Sequence, residues 1–392
     1  MSKLPNLTAA ERIPDAAMAE VTRILQTGDL FRYGSKQSPV ALLEAEFAQA
    51  LGSKFALAVS SCSAALFLSL KALGLPRDAK VLIPAFTFAA VPSSVVHAGC
   101  IPVLCECDGD YRIDLGDFAK KLPGCEAVII SYMRGHTSDM DAIMALCDAA
   151  GTPVIEDAAH SLGTTWSGRN VGTIGKVGCF SFQSYKLLNA GEGGIMITDD
   201  EDLIAQAVIM SGAYEHNWQK HPILHTAFAK WQNRLPLYNL RLNTLSAALI
   251  RPQLVAMPQR VRLGRRNHDY VAAILDASPW IMVPSSLPRE QRAPDSIQFN
   301  LHDMTDAQVD DFVSQAASLG LKAEVFGRSK DNARAFWNWN FLSNIPDQPK
   351  TRAMLNRACD VRLPSRLSLQ ECDVVAQTIL DTLDTTMGSR LT

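Results

Sequence analysis

Short apolar segments alternate with helical segments through the first half of the chain, and this alternation most constrains the fold. The predicted strands lie at 55–59, 81–83, 101–104, 127–130, 153–155, 178–182 and 194–198, and the predicted helices at 41–51, 64–73, 89–98, 117–122 and 140–150. Continuously apolar strands separated by helices are typical of a mainly parallel sheet covered on both faces. The sequence therefore predicts an α/β fold with ligands beyond the carboxyl ends of the strands.

The second half of the chain has a different pattern and indicates a smaller second domain. The segment 217–237 is aromatic, basic and aperiodic, and we predict a long active-site loop there. The elements predicted after it are a strand at 296–301 and helices at 260–275, 305–319 and 373–383. We predict a large domain over 1–255, which includes an N-terminal arm, and a small α+β domain over 256–392.

Composition and charge argue against several classes of protein. Of the 392 residues, 47% are hydrophobic and the net charge is −3, without the basic patch that nucleic acids or membrane surfaces attract. The chain has no signal-peptide core and no apolar run of ~20 residues, so we predict a cytoplasmic protein without a membrane span. The nine cysteines are scattered, which favours reduced thiols. We predict no metal site, because His216, His221 and His225 lack the spacing of metal ligands.

The segment 154–198 carries the strongest functional signal. Glu156 and Asp157 close a short apolar run, and Lys186 follows within a stretch rich in serine and glycine. A pyridoxal phosphate (PLP) enzyme needs a lysine that forms a Schiff base with the cofactor aldehyde and an aspartate that keeps the pyridine nitrogen protonated. Taken alone, however, such an aspartate is more often a helix cap, and a single lysine is more often a solvated surface charge.

The strings EDAAH, GTIGKVGCFSF and GEGG surround Lys186. With these strings the chain resembles the DegT/DnrJ/EryC1/StrS aminotransferase family from about Gly28 to Leu254, and more weakly in its last third. The resemblance implies the PLP fold type I, with a mainly parallel central sheet in the large domain and a smaller C-terminal α+β domain. It also implies a PLP-dependent aminotransferase of sugar biosynthesis.

The resemblance further implies which residues surround the pyridine ring. Lys186 and Asp157 would be the catalytic pair, and His160 would lie near the ring and its phenolic oxygen. Phe88, in the string IPAFTFAA, would stack on the ring. Without the resemblance, an aromatic residue at the end of a strand is more often part of the core.

The phosphate of the cofactor is expected at the start of the helix after the first strand. Backbone amides at a helix N-terminus bind anions, and the resemblance adds Cys62, Ser63 and Ser181 as ligands. The family has Ser-Gly-Thr at the first of these sites, so the hydroxyl is kept at Ser63 and the glycine is replaced by Cys62. An ordinary serine helix cap is the alternative interpretation. The resemblance also places Asn239 on the phosphate of a partner subunit, which implies a homodimer with a shared active site.

One departure from the family concerns the substrate. The family often has the string VHLYGQPADMDAI, where this chain has SYMRGHTSDMDAI, with Tyr132 in the histidine position and Arg134 added. An arginine beside a pocket could bind a carboxylate or phosphate through a bidentate fork, or it could be a solvated loop charge. The sequence leaves both interpretations open.

The resemblance implies small-molecule substrates and a ping-pong reaction. The amino donor would be glutamate or glutamine, and the acceptor a keto-sugar, most often linked to a nucleotide. A sugar dehydrase of the same family would carry histidine in place of Lys186, so the lysine argues against that activity. A non-catalytic, PLP-bound regulator or sensor remains as the alternative.

Overall fold

The structure, a computed structural model, describes residues 3–343 and 345–388 and is organised around a seven-stranded sheet. The strands of the large domain are β1 (Phe55–Val59), β2 (Lys80–Pro84), β3 (Ile101–Cys105), β4 (Ala127–Ser131), β5 (Val154–Asp157), β6 (Thr165–Trp166), β7 (Arg169–Asn170), β8 (Val177–Ser181) and β9 (Gly194–Thr198). The sheet order is β1-β9-β8-β5-β4-β2-β3, and β9 runs antiparallel to both of its neighbours. The other six strands share one direction, so their carboxyl ends meet at one edge, as the sequence predicted.

Helices cover both faces of this sheet. In chain order they are α1 (Asp15–Thr27), α2 (Pro39–Leu51), α3 (Cys62–Ala72), α4 (Ala90–His97), α5 (Leu115–Lys121), α6 (Met140–Ala150), α7 (Glu201–Met210), α8 (His225–Trp231) and α9 (Thr244–Leu275). Side chains on successive strand positions point to opposite faces. Accordingly, Val81 and Ile83 pack into one hydrophobic cluster and Leu82 packs into the other. This double burial explains why the strands are continuously apolar.

A second, antiparallel sheet forms the core of the C-terminal part. Its strands are β10 (Ile281–Met282), β12 (Ser296–Leu301), β13 (Glu324–Val325) and β14 (Ala358–Arg362), in the order β10-β12-β14-β13. The strand β11 (Glu290–Gln291) pairs with β6 instead, and the helices are α10 (Asp306–Ser318), α11 (Pro349–Leu355) and α12 (Leu369–Gly388). Among the described residues, no helix is long and apolar enough to span a membrane.

The prediction that 217–237 forms a long loop was wrong, and its place at an active site stays a prediction. A short 3₁₀ turn (Asn217–Lys220) and α8 lie within this segment, and the side chain of Phe228 is fully buried. The indole N–H of Trp231 donates to Asp202 of α7 at 2.7 Å, so the segment packs on the large domain. The helices α1 and α7 were missed altogether.

The prediction of a separate helix over 260–275 was also wrong. Those residues are the second half of α9, which runs for 32 residues and contains Pro252 and Pro258. Proline is a strong helix breaker, and so the sequence favoured a later start. The helix α9 runs across the predicted domain boundary between 255 and 256. The position of that boundary stays a prediction.

Candidate active site

A cavity of about 530 Å³ opens at the carboxyl edge of the central sheet. Its walls come from the segments that follow β1, β2, β4, β5 and β8 and from the small domain. Seven of the eight residues predicted for the site line it: Cys62, Ser63, Phe88, Asp157, His160, Ser181 and Lys186. These residues are far apart in the sequence, and the parallel strands bring them together because each follows a strand end at the same edge.

Asp157, the last residue of β5, is buried at one side of the cavity. One carboxylate oxygen, Oδ2, accepts a hydrogen bond from Ser131 Oγ at 2.7 Å, and Oδ1 accepts one from the backbone N–H of Ala159 at 3.2 Å. The thiol of Cys62 lies 3.7 Å from Oδ1. Burial raises the pKa of Asp157, and these hydrogen bonds oppose the rise. A buried carboxylate in such surroundings is best stabilised by a cation, such as a protonated pyridine nitrogen.

Ser131 was not predicted as a site residue. It ends β4 and stands in register with Asp157 of the neighbouring parallel strand. Its hydroxyl also accepts a hydrogen bond from Thr87 Oγ1 at 2.8 Å, which orients its own proton toward Asp157. The signal that could have found Ser131 is the pairing of two strand ends, since a polar residue closes each apolar run.

The two acidic residues that close β5 have different roles. Glu156 points to the opposite face of the sheet, as strand alternation requires, and is fully buried. Its carboxylate accepts hydrogen bonds from the hydroxyl of Tyr132 at 2.6 Å and from the backbone N–H groups of Gly172, Ile174 and Gly175 at 2.5–2.7 Å. Glu156 therefore holds the segment 172–175 in place, and Tyr132 faces this carboxylate rather than the cavity.

Lys186 and His160 meet inside the cavity. The amine Nζ of Lys186 lies 2.8 Å from Nε2 of His160, which follows β5. Burial, together with the positive charge of Arg134, lowers the pKa of Lys186 to about 7. Burial and nearby cations, Lys186 first among them, also lower the pKa of His160 well below its ordinary value, so a neutral imidazole accepts from the amine. A lysine with this pKa is largely an uncharged nucleophile slightly above neutral pH.

Hydroxyl groups and the start of α3 form another part of the cavity. Ser61 caps the helix by accepting the N–H of Ala64 at 3.0 Å, and the side chains of Ser63 and Ser181 line the cavity. The thiol of Cys62 lies near Asp157, so it is not directed toward an anion at this helix end. Such an anion would contact the backbone N–H of Cys62 rather than its side chain.

A glycine of the string GEGG has a steric role at this helix end. A Cβ atom built on Gly194 would lie 2.4 Å from the backbone nitrogen of Cys62. Only a residue without a side chain lets β9 approach the start of α3 so closely.

Phe88 and Asn239, two of the predicted site residues, are both exposed, but only Phe88 lines the cavity. The ring of Phe88 is 44% exposed within the cavity, where it offers an apolar face for stacking. Asn239 is exposed too, but it does not line the cavity of its own chain. It belongs to a segment held beside β1, where the carbonyl of Leu240 accepts the N–H of Ser60 at 2.8 Å. Its contact with a partner subunit stays a prediction.

The residues present fit PLP. The cavity offers a buried carboxylate for the pyridine nitrogen, an amine of lowered pKa for the aldehyde and an aromatic face for the ring. Hydroxyls beside a helix N-terminus supply the chemistry for a phosphate. Within the described residues, no group of three or more His, Cys, Asp or Glu side chains is arranged to hold a metal ion.

Comparison with known proteins agrees with this arrangement. The sequence pattern of the DegT/DnrJ/EryC1/StrS aminotransferase family matches residues 11–380. The chain belongs to this family. The membership confirms the predicted fold class, the predicted enzyme class and PLP as the cofactor.

Individual members of the family show how far the similarity extends. The chain is 37% identical over 236 residues to the spore coat polysaccharide biosynthesis protein SpsC of Bacillus subtilis (strain 168), a region that covers 59% of each protein. It is 31% identical to the GDP-perosamine synthase of Vibrio cholerae, over 57% of this chain and 58% of that one. These alignments thus cover less than two thirds of either relative. The crystal structure of 3-amino-5-hydroxybenzoic acid synthase matches with a TM-score of 0.84 and 25% identity, over 97% of this chain and 99% of the other.

Proposed function

We propose that the protein transfers an amino group from glutamate or glutamine to the carbonyl of a keto-sugar or a related ketone or aldehyde. The observation that carries this proposal is the cavity in which Lys186, with a pKa lowered to about 7, stands beside the buried carboxylate of Asp157. One relative is named for GDP-perosamine and a structural match for 3-amino-5-hydroxybenzoic acid. The first name supports a nucleotide-linked sugar as acceptor, and the second supports a related ketone that is not a sugar.

The residues of this chain would divide the chemistry among themselves. When bound, PLP supplies an aldehyde and an electron-withdrawing ring, which allow a proton to leave the substrate carbon. Asp157 would hold the ring nitrogen protonated through its carboxylate. Lys186 Nζ, uncharged above a pH of about 7, would take the proton from the substrate carbon and return it at the neighbouring position. His160 would keep Nζ oriented through its 2.8 Å contact.

The identity of residue 186 argues against a sugar dehydrase. That activity would require histidine at this position, and the chain has lysine. A non-catalytic, PLP-bound regulator of the same fold would keep the same cofactor residues. It is therefore an outcome that an experiment must distinguish.

The test is a panel of amino donors and keto acceptors applied to the PLP-loaded protein. Glutamate or glutamine should convert the cofactor to its aminated form, seen as a change in absorbance, and the right acceptor should reverse the change. Borohydride reduction followed by peptide mapping should place the cofactor on Lys186, and Lys186→Ala should abolish this attachment. A protein that binds PLP but changes its absorbance with no donor would be a regulator instead.

A further inference from the structure

Three arginines line the part of the cavity to which the small domain contributes. They are Arg134, Arg334 and Arg362. In each of them the guanidinium Nε is buried and has no hydrogen-bond acceptor among the residues that the structure describes. Buried donors without partners are uncommon in native proteins and commonly mark a place where a ligand or water binds. None of these donors is used by the cofactor residues described above.

Contacts hold the side chain of Arg134 in this part of the cavity. It is only 6% exposed, so it is not a solvated loop charge. Its backbone is in the left-handed region, with φ of 56°, and such strain persists where surrounding contacts impose it. Its Nη2 lies 2.6 Å from Asp360 Oδ2, while Oδ1 of Asp360 accepts from Gln298 at 2.6 Å. Each oxygen of Asp360 thus has one partner, and Nε of Arg134 has no acceptor among the described residues.

Arg334 lies beside the same aromatic ring as Arg134 and is weakly paired. Its nearest carboxylate, that of Glu324, is 3.5 Å away. The guanidinium carbons of Arg334 and Arg134 lie 5.6 Å and 5.9 Å from the centroid of the Phe326 ring, and Arg334 also lies 5.8 Å from the ring of Phe88. Burial and the charge of Arg134 lower the pKa of Arg334. Asp360 and Glu324 offset these two positive charges in part, and an anionic ligand beside both arginines would offset them further.

We propose that Arg134 and Arg334 form a subsite that binds a carboxylate group of a substrate. The inference rests on the proposed aminotransfer, because it assigns the ligand to that same cavity. Arginine presents a planar fork that matches a carboxylate, and the guanidinium of Arg334 lies 5.8 Å from the ring of Phe88, which lines the same cavity. Arg362 is less free, since its Nη1 already contacts Asp295 Oδ2 at 2.9 Å.

The position of the subsite indicates which substrates it serves. Arg134 and Lys186 line the same cavity, and the charge of Arg134 lowers the pKa of Lys186, so a carboxylate bound there lies near the reacting amine. An amino acid donor carries a carboxylate next to its amino group and meets this requirement. A sugar acceptor that carries a carboxylate would offer the same chemistry.

Binding measured without turnover tests this proposal. Calorimetric titration of the PLP-loaded protein with glutarate, a dicarboxylate without an amino group, should show binding, and the neutral diamide of glutarate should not bind. Arg334→Gln should weaken glutarate binding roughly ten- to a hundredfold, as expected for loss of a charged hydrogen bond. The matched control is Arg77→Gln, whose side chain is 90% exposed, and it should leave the affinity unchanged.

A second variant guards against loss of folding. Removing Arg134 alone would leave Asp360 unpaired, so Arg134→Met is combined with Asp360→Asn. This double variant should lose affinity for glutarate to a similar degree while keeping its circular dichroism spectrum and bound PLP. The proposal is wrong if the double variant loses thermal stability but keeps the wild-type affinity for glutarate. The ion pair would then serve only to stabilise the contact between the domains.

Further ligands separate the sources of the anion. Tight binding of glutarate favours the donor, and binding of glucuronate with weak binding of glutarate favours a carboxylated sugar acceptor. Preference for pyrophosphate over both would overturn the assignment to a carboxylate. Because none of these titrations needs catalysis, their failure would be distinct from failure of the aminotransfer test.

Discussion

The Nζ atom of Lys186 lies 2.8 Å from Nε2 of His160, although the two residues belong to segments that follow different strands. The neutral imidazole accepts from the amine and adds no positive charge beside it. This contact keeps the amine in the cavity while burial lowers its pKa to about 7. The amine of Lys186 is therefore both oriented by His160 and nucleophilic near neutral pH.

The rate of PLP capture by the cofactor-free protein should follow the titration of Lys186. The uncharged amine is the nucleophile, and it predominates above its pKa. The rate should therefore rise with pH and level off above a midpoint near 7, where an ordinary lysine would titrate at about 10.4. Stopped-flow absorbance measures this profile. The double variant Arg134→Met with Asp360→Asn should move the midpoint to higher pH by removing a nearby cation without leaving Asp360 unpaired, and a wild-type midpoint above about 9 would contradict the assignment.

The carboxylate of Asp157 should matter more than the hydroxyl that supports it. Asp157→Asn should keep the fold but lower the rate of aminotransfer by at least ~100-fold, a typical scale for loss of a positioned electrostatic partner. Ser131→Ala removes one hydrogen bond of 2.7 Å to that carboxylate and should cost about tenfold. Ser93→Ala, on α4 outside the cavity lining, is the control and should retain the full rate. Near-normal turnover of Asp157→Asn would remove this residue from the mechanism.

Glu156 should affect stability much more than an exposed glutamate does. Glu156→Ala would leave one buried hydroxyl and three backbone N–H groups without their acceptor, so the free energy of unfolding should fall by at least about 3 kcal/mol. Glu46→Ala breaks a partly exposed ion pair with Arg251 and should cost at most about 1 kcal/mol. Urea denaturation followed by circular dichroism compares the two. Equal losses would show that Glu156 does not organise the segment 172–175.

Asn239 should act on the cofactor of a partner subunit. It is exposed and outside its own cavity, so Asn239→Ala should weaken PLP retention roughly ten- to a hundredfold only if two chains share a site. Mixed dimers of Lys186→Ala and Asn239→Ala chains would then contain one intact site and recover activity that both parent variants lack. No recovery in verified mixed dimers would mean that Asn239 acts, if at all, within its own chain.

The sequence predicted the strands of the central sheet because their signals are local. The strands at 55–59 and 194–198 and the helix at 140–150 have the bounds that were predicted. Such elements are recognisable from apolar runs and periodicity alone. The helix α9 was divided wrongly, because packing along its whole length stabilises a helix that contains two prolines.

The sequence by itself determined the mainly parallel sheet, the strand ends that carry Asp157 and the strings around Lys186, since each is written in consecutive residues. Only the tertiary structure decided what Arg134, Tyr132 and Ser131 do. Arg134 becomes a buried cation because a strand of the small domain brings Asp360 to it, and the hydroxyl of Tyr132, which follows β4, donates to Glu156 on the face turned from the cavity. Burial and pairing of charge depend on segments far apart in the chain, and a local pattern does not encode them.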